Sequence, residues 1–215
     1  MAKVIIDVVS DVICPWCFLG KRRLDKALAS LPEVETQVSF RPFFLDSSLP
    51  PEGMDRHQYM LAKFGAERLK TIHDPLIAAG MADGVPYAFD KITRTPNSLN
   101  AHRLLRWALV VGVQRTVKEA LFMAYWSWGQ DISDPRILAT IATVNGMHGE
   151  DISNLLATDA DKKEVLEEAQ LAQNMGVTGV PTFIINRKYG MAGAQPVEAL
   201  VEIIMKAAAD PQTDT

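Results

Sequence analysis

Cys14-Pro15-Trp16-Cys17 is the first place in this chain where residue types and spacing point to chemistry. Residues three apart on a helix share a face, so the two thiols are within reach of one disulfide. The pair follows the apolar run Val4-Ile5-Ile6-Asp7-Val8-Val9 and opens a helical pattern. A helix N-terminus carries roughly half a positive charge and unpaired N–H groups, and both favour a thiolate over a thiol. Cys14, at the helix mouth, is therefore the expected exposed nucleophile. Cys17, one turn further in, is the more buried thiol that resolves a mixed disulfide by attacking Cys14. Two other readings compete with this one. Half of a zinc site needs two more ligands, and His57, His73, His102 and His148 lack the close pairing of such sites, so no metal is expected. Two core cysteines brought together by chance fit poorly with placement between a strand and a helix.

The surrounding residues divide between support and scaffold. Pro15 and Trp16 fill the space between the cysteines. Trp16 either shapes the surface around Cys14 and tunes its potential or lids the helix start. Asp11 either caps the turn before the helix or relays a proton to Cys17, with capping the stronger reading. Lys21, Arg22 and Arg23 add positive potential or form a solvated helix face. His102 is read as core or surface, Arg103 and Arg106 as a solvated face, and Tyr125, Trp126 and Trp128 as a packed patch or a substrate wall.

A second motif, Thr178-Gly179-Val180-Pro181-Thr182, precedes a strand-like run. A proline is tolerated at the first position of a strand, and an X–Pro bond makes the cis form cheap. Beside a dithiol, Pro181 would keep an open edge facing Cys14. The Val180 backbone could then pair with an extended peptide or glutathione.

These motifs need elements to hold them. Val4–Val9 reads as a buried strand, Gly20 to Leu31 as an amphipathic helix ended by Pro32, and Val34 to Phe40 as a period-2 strand. A βαβ opening implies a parallel pair with a right-handed crossover. From Asp55 to about Met175 the chain reads as helix, with apolar stripes at Ala101–Leu109, Val117–Trp128 and Ile137–Val144. Thr182–Asn186 and Tyr189–Ala192 read as strands, and Val197–Ala208 as a final helix. The expected architecture is α/β: one unit from 1–46 and 176–215, sharing a sheet, and a mostly helical insertion at 47–175 whose last helix packs on that sheet.

The chain has 215 residues, 48% hydrophobic and 22% charged, with a formal net charge of −4. That is long enough for a substantial core. Without a basic surplus to neutralise phosphates, nucleic acid is excluded as a partner. No apolar run approaches the roughly 20 residues of a membrane helix, so no membrane partner is expected. The N-terminal stretch lacks the apolar core and cleavage site of a secretory signal, which places the protein in the cytoplasm. Two cysteines in a reducing compartment are not a disulfide scaffold.

Taken together, the dithiol after strand one, the helical insertion and Gly-Val-Pro-Thr before the next strand resemble the DsbA-like branch of the thioredoxin superfamily. Ser10 to Leu24, Asn100-Ala101-His102-Arg103-Leu104-Leu105 and Gly193-Ala194-Gln195-Pro196 are similar to the FrnE-like group of disulfide oxidoreductases and isomerases. The resemblance implies a thioredoxin fold with a helical domain between its βαβ and ββα halves. It also implies catalysis by Cys14 and Cys17, supported by Pro15, Trp16, Pro181 and Asp11. Related kappa-class glutathione transferases and 2-hydroxychromene-2-carboxylate isomerases bind glutathione at this helix end, typically with serine in place of the first cysteine. By that resemblance Val180, Ala194 and Gln195 would contact substrate or glutathione.

The expected function is thus a cytosolic thiol–disulfide oxidoreductase or protein disulfide isomerase. Its partners are protein thiols and disulfides or glutathione. No cofactor is expected to be bound, and glutathione enters as reductant or co-substrate. The alternatives are a glutathione-dependent isomerase or transferase of a small aromatic substrate, and a non-enzymatic chaperone using the insertion. A homodimer would form through that insertion.

Overall fold

The computed structural model describes residues 3–210. The chain opens with strand β1 (Val4–Ser10), helix α1 (Pro15–Ala29) and strand β2 (Thr36–Pro42). β2 runs parallel to β1, with Val4 opposite Thr36 and Ser10 opposite Pro42. A two-residue strand β3 (Met54–Asp55) leads into α2 (Arg56–Phe64), α3 (Ala66–Leu69) and α4 (Asp74–Asp83). After a 3₁₀ turn at Phe89–Lys91, β4 (Arg94–Thr95) pairs back on β3. There follow α5 (Leu99–Val110) and α6 (Gln114–Phe122), then a π-helical turn at Met123–Ser127. The helices α7 (Pro135–Val144), α8 (Gly149–Leu156) and α9 (Lys162–Asn174) complete the insertion. The chain ends with β5 (Thr182–Ile185), β6 (Tyr189–Ala192) and α10 (Val197–Ala209).

The two chain ends share one sheet of order β2-β1-β5-β6, with β5 antiparallel to both β1 and β6. The period of two divides its faces. Val4, Ile6 and Val8 pack with Phe183 and Ile185 against Leu24 and Ala27 of α1 and Leu200 and Ile204 of α10. Val9 and Ile184 point the other way, toward Ala172 of α9. Thus α9 lies on the sheet, and Arg41 of β2 reaches its Glu168 at 2.9 Å. The boundaries read from sequence at 46/47 and 175/176 fall in the β2–β3 and α9–β5 connections.

The apolar stripes of α5, α6 and α7 converge on a second core. That core also takes in Val12, Ile13, Cys14, Cys17, Phe18 and Leu19, so the start of α1 is seated in the helical insertion. The β3–β4 ladder was not foreseen, because two-residue strands show no periodicity.

Three charge expectations need correction. Arg103 is fully buried rather than on a solvated face. Its guanidinium donates to the carbonyls of Leu155, Thr158 and Ala160 at 2.7, 3.0 and 2.7 Å, at the C-terminal end of α8, where carbonyls lack helical partners. Arg106 is half-buried and pairs with Asp161 at 2.8 Å. Lys21, Arg22 and Arg23 are neither free positive potential nor a solvated face. Lys21 is buried against Asp25 and Glu119, Arg22 pairs with Glu119, and Arg23 with Asp83. These pairs bind α1 to α4 and α6.

Candidate active site

Helix α1 starts where its sequence says it should. Pro15 at the first helical position has no N–H to leave unsatisfied and a backbone angle already helical. Cys14 is the N-cap, with extended backbone and no side-chain cap bond. A serine or aspartate usually sits here and accepts an N–H from the first turn. In this chain that position holds a thiol. The Cys17 N–H donates to the Cys14 carbonyl at 3.1 Å, which places the two cysteines on one turn. Both are free thiols.

Exposure corrects one expectation. Cys14 is only 3% exposed and Cys17 2%, so the first cysteine does not stand in open solvent. The difference between them is topological. Cys14 lines a groove of about 660 Å³ between α1, the Val180 loop and the insertion, whereas Cys17 lies behind it in the core. The Val180–Pro181 peptide bond is cis. The Val180 carbonyl accepts the Cys14 thiol at 3.5 Å, and this loop covers the sulfur. The Val180 N–H has no protein partner among the described residues. Gly20 permits the close approach: a Cβ there would fall 2.8 Å from Pro181 Cγ.

Trp16, 40% exposed, lines the groove beside Cys14. Pro15 lines it too, and its carbonyl accepts the Tyr87 hydroxyl at 2.6 Å. Burial, with Cys14 and Cys17 nearby, pushes the Tyr87 hydroxyl far above its ordinary range, so it stays a neutral donor. Trp126 forms another wall and fixes the loop before α1 by donating to the Val12 carbonyl at 3.0 Å. Its neighbour Tyr125 is buried, while Trp128 is exposed. Ala194 and Gln195 do not line this groove. The Ala194 carbonyl is taken by Arg23 at 2.5 Å, and Gln195 Nε2 turns back to Ala192 O at 2.6 Å.

Below the dithiol lies a buried polar set. Asp11 is fully buried and takes the Ile13 N–H at 3.3 Å and the Leu45 N–H at 2.8 Å, which caps the turn before α1. His102 Nε2 lies 3.4 Å from Asp11 Oδ1, with Phe44 edge-on to the ring. Burial pushes the Asp11 carboxyl up, but His102 and the Leu45 N–H outweigh it and hold it below the usual carboxylate range. Burial lowers the His102 imidazole despite Asp11, so it is neutral at pH 7.

Lys118 of α6 was missed from the sequence. It is fully buried, with no hydrogen-bond partner for its ammonium among the described residues. The ammonium sits 4.8 Å from the Phe122 ring centroid and 5.5 Å from that of Phe40, where cation–π attraction replaces some of its lost hydration. Burial lowers it to about 8, against the pull of Cys17, Asp11 and Cys14. Burial and the neighbouring Cys14 push the Cys17 thiol well above its ordinary value, and Lys118 opposes that rise. The available signal was helical spacing: Lys118 stands three and four residues before Leu121 and Phe122, on the flank of an apolar stripe. Tyr87 gave no such signal. Among the described residues no cluster of three or more His, Cys, Asp or Glu could hold a metal.

The arrangement suits exchange at one sulfur with a second thiol held in reserve. Comparisons with known proteins give the chain its relatives. The chain is 28% identical over 189 residues to the uncharacterized protein YwbO of Bacillus subtilis, covering 84% of this chain and 86% of YwbO. Its fold is similar to the crystal structure of a probable DsbA oxidoreductase from Streptomyces coelicolor, with a TM-score of 0.87 and 29% identity over 99% of this chain and 93% of that one. A 2-hydroxychromene-2-carboxylate isomerase shares the fold at a TM-score of 0.72 and 16% identity, over 96% of this chain and 97% of the other. The model of the DSBA-like thioredoxin domain matches residues 5–205, and on that match the chain belongs to the DsbA-like thioredoxin family.

Proposed function

We propose that this protein is a thiol–disulfide oxidoreductase that acts on protein disulfides in a reducing, cytosolic setting, with isomerisation among its reactions. The observation that carries this reading is the unequal placement of the two thiols. Cys14 meets the groove beside an unpaired backbone N–H at Val180, and Cys17 is held behind it near a buried ammonium.

Cys14, as thiolate, attacks one sulfur of a substrate disulfide. A Cys14–substrate disulfide forms, the substrate S–S bond breaks, and the leaving sulfur departs as thiolate and takes a proton. Cys17 then gives up its proton and attacks Cys14 Sγ. The Cys14–Cys17 disulfide forms and the second substrate sulfur leaves, so the substrate gains two electrons and the protein loses two. The reverse sequence oxidises a substrate dithiol. If a second substrate thiolate resolves the mixed disulfide instead, the substrate is isomerised without net electron transfer. Glutathione serves as the reductant that regenerates the dithiol. The free Val180 N–H supports an extended peptide as substrate, through main-chain pairing beside the reacting sulfur.

The test is reactivation of scrambled ribonuclease in a glutathione buffer, comparing wild type with Cys14→Ser. Reactivation that the substitution abolishes is the expected result. Failure of the wild-type protein to reactivate the substrate overturns the reading and directs attention to glutathione-dependent chemistry on a small molecule.

A further inference from the structure

The groove at Cys14 has a charge bias that thiol exchange alone does not require. No aspartate or glutamate lines it, yet Arg56, Lys63, Arg68 and His73 do. Lys63 is already answered by Asp46 at 3.3 Å. Arg56 and Arg68 are not. Most other arginines of the described residues find carboxylates at short range, as Arg23 finds Asp83 and Arg106 finds Asp161, and the buried Arg103 is answered by the carbonyls at the end of α8. Among the described residues Arg56 and Arg68 have no carboxylate at ion-pair distance.

Arg56 is half-buried and held in place, whereas Arg68 is exposed at the groove's edge. The Arg56 guanidinium donates to Tyr125 Oη at 3.3 Å and lies 5.6 Å from the Trp126 ring, which walls the groove. The Arg68 guanidinium lies 5.6 Å from the Phe64 ring. In the same groove His73 is stacked on Phe89 at 4.0 Å, with a buried Nε2 that has no hydrogen-bond partner among the described residues. Arg56 and burial both lower the His73 imidazole, so at pH 7 it offers a neutral ring nitrogen rather than a third cation. Ile13, Met60 and Leu76 add an apolar floor. A molecule of net charge −4 repels anions at long range, so two uncompensated guanidiniums in one groove mark a local reversal of sign.

We propose that this groove selects disulfides carrying a carboxylate close to the reacting sulfur, with Arg56 and Arg68 as the groups that receive it. The inference rests on the oxidoreductase reading above and names the substrate class for the same site. Acidic segments of protein chains and small anionic disulfides share this chemistry. A guanidinium can meet a carboxylate with two parallel hydrogen bonds, and Arg56, half-buried beside Trp126, would do so with reduced hydration.

The test uses the reduced full-length protein and symmetrical disulfides of one short peptide, in which the residue beside cysteine is Glu, Gln or Lys. Single-turnover reduction is followed for each peptide. Every rate is divided by that of the same peptide with free dithiothreitol, which removes the effect of the neighbour on the sulfur itself. Glutathione disulfide forms a fourth arm. The expected order is Glu over Gln over Lys, with about tenfold between the extremes at low salt and a ratio that shrinks at high salt. In Arg68→Gln, an exposed substitution, and in Arg56→Gln the Glu-to-Gln ratio falls toward one. A faster glutathione arm assigns the preference to small anionic disulfides, and a faster Glu peptide assigns it to acidic chain segments. Equal rates for the three peptides, with exchange intact, overturn the charge preference and leave the oxidoreductase reading standing. No exchange with any arm overturns both.

Discussion

Gly20 and Pro181 touch so closely that a methyl group added to Gly20 would lie 2.8 Å from Pro181 Cγ and 3.4 Å from the Phe183 ring. This contact sets the depth at which the Val180 loop seats over Cys14. Gly20→Ala should force the loop outward, since α1 is pinned on its other side by the Lys21 and Arg23 ion pairs. Overpacking of this kind costs about 1–3 kcal/mol. Denaturant unfolding should show that loss. Alkylation of Cys14 should be faster than in wild type, because the Val180 carbonyl no longer covers the sulfur. A variant with wild-type stability and alkylation rate would show that the loop is seated by other contacts.

The Asp11–His102 pair predicts two separate pH windows. The His102 imidazole is held below its ordinary 6.5 in the fold. The unfolded chain therefore takes up a proton first, and stability falls as pH drops through about 6.5. The Asp11 carboxyl is held below its ordinary 3.8. Its contribution is complete above that value and is lost as pH falls through the lower folded value. Unfolding measured from pH 7.5 to 3 should show the first loss in wild type and less of it in His102→Gln. Asp11→Asn should cost about 1.5–3 kcal/mol at pH 7, in line with hydrogen bonds to a charged group, with the gap narrowing only below about pH 4. A gap that stays constant across the whole range would mean the carboxylate charge plays no part.

Arg103 tests how firmly the end of α8 is anchored. Its guanidinium satisfies carbonyls of Leu155, Thr158 and Ala160 in a site with no exposure. Arg103→Met takes the guanidinium donor from all three carbonyls, at about 1–3 kcal/mol for each one that water does not reach. The loss should appear in thermal unfolding. Disulfide exchange by the protein that remains folded should match wild type, because Arg103 does not line the groove. A variant as stable as wild type would mean that water or a rearranged α8 end replaces the guanidinium.

What could be read in advance depended on periodicity and on motif. The βαβ opening, the parallel β1–β2 pair and the final ββα follow from Val4–Val9, Gly20–Leu31 and Thr182–Ala208, where apolar spacing is regular. Cys14 and Cys17 were legible because a C-x-x-C at a strand-to-helix junction has a physical use. Lys118, Arg103 and the Arg56–Arg68 pair were not. Their roles come from which chain segments the tertiary fold brings beside them, and a charged residue on a helix reads as solvated until its neighbours are known. Arg103 shares α5 with Arg106, yet only Arg103 meets the open carbonyls of α8. The depth of Cys14 was misread for the same reason. Its cover is a loop 166 residues away in the chain.

Lys118 is the residue whose removal should separate stability from redox chemistry. Its fall from 10.5 to about 8 corresponds to a penalty on the order of 3 kcal/mol for holding the charge in the core, at ~1.4 kcal/mol per pH unit. The sign follows from linkage: the folded value is depressed, so the penalty is complete below about pH 8 and disappears as pH rises toward 10.5. Lys118→Met should therefore be more stable than wild type at pH 7, with the advantage shrinking above pH 8. Redox chemistry should move the other way. In the reduced protein the buried ammonium attracts negative charge on Cys17 and Cys14 and so favours their anionic forms, and oxidation to the disulfide removes those anions. Lys118 thus stabilises the dithiol state and raises the potential. Lys118→Met should lower the potential by about 30 mV for each ~1.4 kcal/mol of that interaction lost. It should also slow attack by Cys17, so that the Cys14 mixed disulfide accumulates during turnover. Stability in both redox states and the potential from glutathione equilibration form a closed cycle. The gain in stability must be larger for the oxidised than for the reduced protein, by the amount the potential falls. Equal gains in the two states, with an unchanged potential, would mean that Lys118 does not sense the dithiol.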